Sequence, residues 1–171
     1  MATEIVTERL RLRPASPDDF EGVQALVSDY DVVKMTASWP WPADPDFTRG
    51  RCAPLDSAAG LNGVVLAGDA VIGMMGITAR ETDGIVAAGM GYMFAKPHWG
   101  RGYATEMGRA LIDHVFARYD WPGIEAGIWD DNPASGRVLE KLGFRRVGVG
   151  CRHCRARDAE LDLITFVLPR P

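Results

Sequence analysis

A glycine-rich segment from Lys96 to Glu106 contains the residues of this chain that are best suited to chemistry. An apolar run with strand character precedes it, and apolar residues at helical spacing follow it. A glycine turn at such a junction directs unpaired backbone N–H groups, and the positive end of a helix dipole, toward one point. The segment therefore predicts an anion site, and phosphate is the anion that fits it best.

The spacing of this turn matches neither of the common nucleotide-binding patterns. The dinucleotide pattern requires G-x-G-x-x-G, and the mononucleotide P-loop requires G-x-x-x-x-G-K-[ST]. This chain has Gly100 and Gly102, followed by Tyr103 and Ala104. The turn alone therefore does not identify the ligand.

A second helix start follows further along the chain, at Asn132. Asn132 has the character of a helix cap, Pro133 takes the first turn, and Gly143 predicts the helix end. The strand Ile124–Trp129 precedes this helix, as the strand 85–94 precedes the glycine turn. A strand, a helix and a strand of these lengths predict a parallel crossover, so both helix starts lie at carboxyl ends of neighbouring strands and face one cleft.

The elements before the cleft follow from shorter signals. Residues 9–13 alternate as a first strand, and a helix is predicted from Ser16 to about Ser28. The region 38–60 reads as loop with one short helix capped by Asp44. Two apolar runs and the strand 85–94 then predict an antiparallel meander, with turns at Gly68-Asp69 and Thr82-Asp83-Gly84.

The composition is that of one ordinary globular domain spanning residues 1–171. With 47% hydrophobic and 25% charged residues, the chain can bury a core. The charged N-terminus has no signal-peptide pattern and no segment is long enough to span a membrane, which predicts a cytoplasmic protein without a membrane partner. A net charge of −4 argues against a nucleic-acid partner and favours a cationic or neutral one.

The three cysteines predict neither a disulfide framework nor a metal site. Cys151 and Cys154 have C-x-x-C spacing, whereas Cys52 lies far away in the sequence. A structural zinc site needs four ligands, and a redox pair normally opens a helix behind a strand. We therefore interpret these thiols as incidental and expect no metal.

Taken together, the two motifs resemble the GNAT superfamily of acetyl-CoA-dependent N-acetyltransferases. The nearest resemblance is to the branch of ribosomal-protein N-terminal alanine acetyltransferases (the Rim-type branch), and it covers almost the whole chain. The segments that carry the resemblance are Thr7–Arg13, Gly91-Tyr92, Trp99–Glu106, Asn132–Ser135 and Lys141–Phe144. The resemblance implies an α/β (α+β) fold with about four helices and a mixed, twisted, mostly antiparallel sheet of about seven strands. A central pair of parallel strands splays apart, and acetyl-CoA lies in the resulting V.

The family's pyrophosphate loop, [QR]-x-x-G-x-[GA], falls on the segment from Trp99 to Ala104, and Trp99 replaces the usual polar residue. The resemblance implies that the end of the preceding strand pairs with the pantetheine arm and that Asn132 binds the same arm. The cofactor-binding residues implied are Met93, Phe94, Ala95, Trp99, Gly100, Arg101, Gly102, Tyr103, Ala104, Asn132 and Ser135. Arg101, Arg137 and Lys141 either meet CoA phosphates or form solvated helix faces.

The catalytic groups depart from the family pattern at two positions. Leu139 stands where many relatives have a tyrosine acid, and the resemblance makes Ser135 the acid or thiolate hydrogen-bond donor, unless it is merely an early-helix serine. Gly89 stands where relatives often have a glutamate base. Deprotonation could then pass through water to one of four carboxylates: Glu125, Asp130, Glu160 or Asp162.

Two functions from different classes fit these residues. The first is an N-acetyltransferase acting on a primary amine, either a protein N-terminal α-amine or a small molecule, and the missing glutamate favours a weakly basic amine. The second is a catalytically silent acyl-CoA-binding module, suggested by Leu139 and Gly89. Three aromatic residues of the 38–60 loop are the candidate substrate contacts: Trp39, Trp41 and Phe47. Edge strands in this fold often pair into dimers, so the resemblance also implies a homodimer as one form of the protein.

Overall fold

The computed structural model describes residues 3–82 and 85–171. Its strands are β1 (Ile5–Val6), β2 (Arg11–Pro14), β3 (Leu55–Ser57), β4 (Gly60–Ala67), β5 (Ala70–Thr82), β6 (Ile85–Phe94), β7 (Gly123–Trp129), β8 (Arg145–Cys154) and β9 (Ala159–Pro169). Its α-helices are α1 (Phe20–Val27), α2 (Tyr30–Val33), α3 (Pro45–Arg51), α4 (Tyr103–Arg118) and α5 (Pro133–Lys141). Two short 3₁₀ turns, Pro17–Asp19 and Lys96–His98, precede α1 and α4.

The described strands form one sheet in the order β1-β2-β4-β5-β6-β7-β9-β8, with β3 paired to β4. Every described pairing is antiparallel except that of β6 with β7, which is parallel. The predicted fold class and the central parallel pair are therefore confirmed. The nine strands and five α-helices of the described residues exceed the predicted seven and four, because β1, β3 and α2 are too short to leave a periodic pattern.

Helices cover both faces of the sheet, and the side chains of β5 alternate between them. Met75 and Ile77 pack into the cluster that contains α4, whereas Met74 packs with α1 and α2. This is the period-two alternation expected of a strand. From Met74 onward, the even-numbered residues of β5 therefore point to the face opposite α4; Ile72, which lies at the register shift between β4 and β5, packs on the α4 side.

Local signals fixed several element boundaries correctly. Asp44 caps α3 by accepting hydrogen bonds from the N–H groups of Asp46 and Phe47, as predicted for the short helix in the 38–60 loop. Gly143 ends α5 with a φ of +93°. The hairpin turn at Gly68 is also present, whereas the predicted turn at Thr82-Asp83-Gly84 lies partly outside the described residues.

An ion pair with a buried carboxylate attaches the start of α1 to β2. The carboxylate of Asp19 is 5% exposed and accepts bonds of 2.7 and 2.8 Å from Arg13, with a further bond from the Ser16 N–H. Burial raises the pKa of Asp19, but the bonds from Arg13 and Ser16 outweigh it and hold this pKa below its ordinary value.

We expect Asp19→Ala to lower the free energy of unfolding by about 1.5–3 kcal/mol, because it removes the charge-assisted hydrogen bonds from Arg13 and Ser16 to a buried carboxylate. Asp18→Ala is the matched control, since Asp18 is exposed and adjacent. Urea titration measures both. The pKa of Asp19 is lower in the folded protein than in the unfolded chain. Asp19 therefore contributes its full stabilisation above the unfolded pKa of about 3.9, and this stabilisation disappears as the pH falls through the pKa of the folded protein. An Asp19→Ala loss under 1 kcal/mol would contradict the ion-pair interpretation.

No helix within residues 3–82 and 85–171 has both the length and the apolar character needed to cross a bilayer.

Candidate active site

The site lies where β6 and β7 separate. These strands pair in parallel at Ala88 with Ile124 and at Gly89 with Glu125, and that is the extent of their pairing among the described residues. Beyond this point β6 continues to Phe94 and β7 to Trp129. The strands therefore form a V that opens toward their carboxyl ends.

A cleft of about 1040 Å³ occupies this V and extends to both faces of the sheet. On one face it is lined by the glycine turn and the first residues of α4 and α5. On the other face it is lined by the segment before α3 and by even-numbered residues of β5. Two substrates could therefore approach the V from opposite faces and meet within it.

The glycine turn has the backbone geometry of an anion cradle. Gly100 and Gly102 have φ values of +72° and +78°, in the left-handed region that favours glycine. A Cβ atom on Gly100 would have no neighbour within 4 Å, and one on Gly102 would lie 3.7 Å from the Arg9 guanidinium, so the space beside the turn is open. Gly102 caps α4, whose first N–H groups have no acceptor within the helix. The residues that carry these N–H groups, Tyr103, Ala104 and Thr105, line the cleft.

A network behind the turn attaches it to the N-terminal segment. Glu106, in the first turn of α4, accepts from the Thr7 hydroxyl at 2.6 Å and from the side chain of Arg9 at 2.7 Å. The Arg9 guanidinium also donates to the carbonyl of Arg101 at 3.1 Å. Burial raises the pKa of Glu106, and the bonds from Thr7 and Arg9 bring it below its ordinary value. The Thr7–Arg13 segment thus stabilises the turn from behind.

Trp99 fixes the other end of the turn to β6. Its indole N–H donates to the carbonyl of Phe94 at 2.7 Å. The N–H of Ala95 donates to Ile72 on β5 at 2.8 Å, so by strand alternation the N–H of Phe94 points away from β5 and into the V. Where the family pattern has a polar side chain, this chain therefore uses the indole to position the strand end.

The start of α5 brings two hydroxyl groups together in the V. Asn132 caps the helix through its side-chain oxygen, which accepts from the Ser135 N–H at 3.3 Å and leaves its NH₂ group as a donor. The Ser135 hydroxyl lies 2.6 Å from the phenol oxygen of Tyr92 on β6. Burial raises the pKa of Tyr92 to about 12, although its hydrogen bond with Ser135 lowers it slightly. Tyr92 therefore stays protonated and can donate to Ser135.

The structure brings most of the predicted cofactor-binding residues into one cleft. Those that line it are Met93, Phe94, Trp99, Gly100, Gly102, Tyr103, Ala104, Asn132 and Ser135. Ala95 and Arg101 do not line it: the Ala95 N–H is bonded to β5, and the Arg101 carbonyl is bonded to Arg9. Arg137, Lys141 and the buried Leu139 also line the cleft.

The three aromatic residues predicted for the substrate occupy different environments. Trp39 is buried and lines the cleft. Phe47 does not line the cleft; it contacts Trp39 edge-on, with ring centroids 5.3 Å apart. Trp41 packs against Tyr30 at 5.2 Å and is 40% exposed. Among these three, the geometry supports direct contact with a substrate only for Trp39.

The candidate carboxylate bases do not line the cleft. The four residues concerned are Glu125, Asp130, Glu160 and Asp162. Asp131 does line it, but its carboxylate pairs with Arg157 at 2.6 and 3.1 Å, and this bonding holds its pKa below the ordinary range. A carboxylate with a lowered pKa is a weak base. Among the described residues the cleft therefore contains no carboxylate suited to remove a proton from an amine.

Two residues of the site were missed by the sequence analysis. Tyr92 belongs to the Gly91-Tyr92 pair, and Glu106 closes the glycine segment, yet neither was assigned a role. Their partners are Ser135 and Thr7, which lie 43 and 99 residues away in the chain. Only the tertiary fold reveals such pairs.

Comparison with known proteins agrees with this geometry. A family model described as "Acetyltransferase (GNAT) domain" matches residues 9–145. This chain belongs to the GNAT acetyltransferase family, as its motifs predicted.

A curated relative and two solved structures match almost the whole length of the chain. The N-acetyltransferase p20 of Bacillus licheniformis, itself uncharacterized, is 28% identical over 96% of this chain and 94% of its own length. The structure of the ribosomal-protein-S5-alanine acetyltransferase from Vibrio fischeri has a TM-score of 0.83 at 18% identity, covering 98% of this chain and 97% of that one. RimL, a ribosomal L7/L12 alpha-N-protein acetyltransferase in complex with coenzyme A, has a TM-score of 0.81 at 19% identity, covering 98% of both chains. At these identities the two structures show a shared fold.

Proposed function

We propose that residues 1–171 form one acetyltransferase domain that transfers acetyl from acetyl-CoA directly to a primary amine in a ternary complex. The observation that carries this proposal is the V between β6 and β7, onto which the N-termini of α4 and α5 both open. RimL, which shares the fold, binds coenzyme A, and this supports the same ligand here. A cytoplasmic location and a homodimer remain predictions.

The residues around the V fit the parts of CoA in order. The N–H groups of the turn from Gly100 to Ala104 would hold the diphosphate, and Arg137 and Lys141 line the same cleft with positive charge. The free edge of β6 would pair with the pantetheine arm as an added strand does. The NH₂ group of Asn132 would donate to a carbonyl of that arm. Bound in this way, acetyl-CoA supplies the activated acetyl group.

The Phe94 N–H is placed to stabilise the charge that develops during transfer. When an amine attacks the thioester carbonyl, negative charge grows on the carbonyl oxygen. The Phe94 N–H points into the V and is held there because Trp99 fixes the strand end. A preorganised backbone donor of this kind lowers a barrier by about 3 kcal/mol in known enzymes.

Ser135 and Tyr92 are placed to stabilise the departing thiolate by hydrogen bonding. Moving a proton from a phenol of pKa about 12 to a thiolate whose acid has a pKa near 8.5 would cost about 5 kcal/mol. Donation of a hydrogen bond has no such cost. We therefore assign Ser135 as the donor to sulfur and Tyr92 as the residue that positions it. The thiolate takes its proton from the ammonium product or from solvent.

None of the three cysteines lines the cleft, which supports direct transfer over an acyl-enzyme. Cys52 and Cys154 are buried, and Cys151 lies exposed on β8. Burial raises the pKa of Cys52, which makes it a poor nucleophile.

We expect the pH profile of kcat/KM to rise along a single limb whose midpoint follows the pKa of the acceptor amine, because the described lining of the cleft includes no suitable carboxylate base. Replacing an α-amine of pKa near 8 by an amine of pKa near 10 should move the midpoint by about two pH units. Initial rates of CoA release between pH 6 and 11 measure this. A midpoint that does not move between acceptors would indicate an enzyme base instead.

A catalytically silent acyl-CoA-binding module is the alternative, because Leu139 and Gly89 replace the family's tyrosine and glutamate and the described lining of the cleft contains no unpaired carboxylate. Free-thiol release from acetyl-CoA over a panel of amines, together with calorimetric binding of CoA, separates the two. We expect amine-dependent thiol release with acetylated product. Tight CoA binding without thiol release for any amine would favour the silent module.

The acceptor is either a protein N-terminal α-amine or a small-molecule amine, and Trp39, which lines the cleft, is its candidate contact. The ribosomal-protein acetyltransferases with this fold support the former.

A further inference from the structure

The part of the cleft on the face opposite α4 is positively charged. Three arginines line it from different elements: Arg51 at the end of α3, Arg80 on β5 and Arg152 on β8. Arg80 is even-numbered like Met74, so it points away from α4 and the glycine turn. This charge is therefore separate from the residues proposed to hold the CoA phosphates. We call these three residues the arginine end of the cleft.

The arginines of this end lack acidic partners among the described side chains. Elsewhere in the described structure, arginines such as Arg13 and Arg157 lie within 4 Å of a carboxylate, whereas no arginine that lines the cleft does so. Arg51 makes one polar contact, a 3.2 Å bond from its guanidinium to the Ser38 hydroxyl. Its other donors have no hydrogen-bond partner among the described residues.

Aromatic rings hold this positive charge in place. The Arg51 guanidinium lies 5.0 Å from the centroid of Phe47 and 5.7 Å from that of Trp39. Arg155 contacts the same Phe47 ring at 4.8 Å. Stacking of this kind orients a guanidinium while leaving its N–H groups free. Phe47 does not line the cleft itself, but it positions the guanidinium of Arg51, which does.

The cluster is electrostatically unfavourable without an anion. Burial lowers the pKa of Arg51, and the nearby charges of Arg80 and Arg155 lower it further, so Arg51 lies close enough to both to be repelled by them. An anion between them would remove this repulsion and accept paired, charge-assisted hydrogen bonds. The only acid that lines the cleft among the described residues, Asp131, is already paired with Arg157.

We propose that the acceptor amine carries an anionic group, a carboxylate or a phosphate, which Arg51 and Arg80 bind while the amine reaches the V. This inference rests on the proposed transferase function and specifies its substrate class. The whole-chain net charge of −4 favours a cationic or neutral partner, but the local charge of the arginine end is opposite in sign. A cationic polyamine would find no free carboxylate in the described lining.

The test uses acceptors in pairs of which one member carries an anion: an α-amino acid and its amide, phosphoethanolamine and ethanolamine, and a short peptide with acidic or amide side chains after its free N-terminus. Because removing the anion also changes the pKa of the amine, each kcat/KM is referred to the concentration of neutral amine. CoA release gives kcat/KM for each. We expect the anionic member of at least one pair to be preferred by about 10-fold or more, since charged hydrogen bonds contribute about 1.5–3 kcal/mol. The preferred pair identifies whether the anion is a carboxylate, a phosphate or an acidic peptide.

Arg51→Gln and Arg80→Gln should each move the ratio of kcat/KM between the anionic and the neutral acceptor toward 1. The dissociation constant of CoA should stay unchanged in both variants. Arg146→Gln is the matched control, because Arg146 is an exposed β8 arginine outside this cleft. Thiol release with no preference in any pair would overturn the inference and leave the transferase function standing. If Arg80→Gln weakens CoA binding, Arg80 binds CoA and not the acceptor, and this result would also overturn the inference. No thiol release with any amine would overturn both.

Discussion

Replacing Ser135 with alanine is expected to lower kcat by about 100-fold while changing CoA affinity little. The Ser135 hydroxyl lies in the V and is oriented by the Tyr92 phenol at 2.6 Å. Its hydrogen bond to sulfur strengthens as negative charge develops there, so its loss acts on the transition state more than on binding. Steady-state kinetics with a fixed amine, together with calorimetric titration of CoA, measure the two quantities separately.

The controls for this prediction come from the same chain. Ser28→Ala removes an exposed hydroxyl that bonds only to the end of α1, and it should retain full activity. Tyr92→Phe should lower kcat by about 10-fold, and the double variant should resemble Ser135→Ala, because the two hydroxyls act as one unit. Full kcat in Ser135→Ala, or additive losses in the double variant, would contradict the assignment.

Replacing Gly102 with valine is expected to weaken CoA binding by about 100-fold while the fold is retained. A β-branched residue is strained at a φ of +78°, and its side chain would occupy the open space beside the turn that the diphosphate needs. The N–H groups at the start of α4 could then no longer approach the phosphate oxygens. Calorimetry or thermal-shift titration with CoA measures the loss.

Gly68→Val is the matched control for Gly102→Val. Gly68 has a φ of +60°, an added Cβ there meets nothing within 4 Å, and its hairpin turn lies outside the cleft. Both variants should lose a similar amount of stability, about 1–3 kcal/mol. Only Gly102→Val should lose affinity for CoA. Equal affinities in the two variants would remove the glycine turn from the binding site.

The parts of the fold that were predictable are those set by local chemistry. The start of α4 follows from two glycines in a strand-to-helix turn, and α5 follows from an asparagine cap and a glycine terminator. The predicted strands likewise match β4, β5, β6 and β7, because their apolar runs and turn residues are local features of each segment's own sequence. β1 and β3, of two and three residues, carry no such signal.

The site was predictable only in its backbone parts. The anion turn and the Asn132 cap follow from neighbours in sequence, whereas the contact between Tyr92 and Ser135 joins residues 43 positions apart. The arginine end joins α3, β5 and β8, and the net charge of the chain pointed to the opposite kind of partner. Composition averages over the whole surface, so it does not report the charge of one cleft.

A crystal structure with CoA bound tests the central claim most directly. We expect the diphosphate of CoA to accept hydrogen bonds from the N–H groups of residues 100–104 and the pantetheine arm to lie along β6. The sulfur atom should lie within hydrogen-bond distance of the Ser135 hydroxyl. CoA bound outside the V, or a sulfur atom turned away from Ser135 and Phe94, would contradict it.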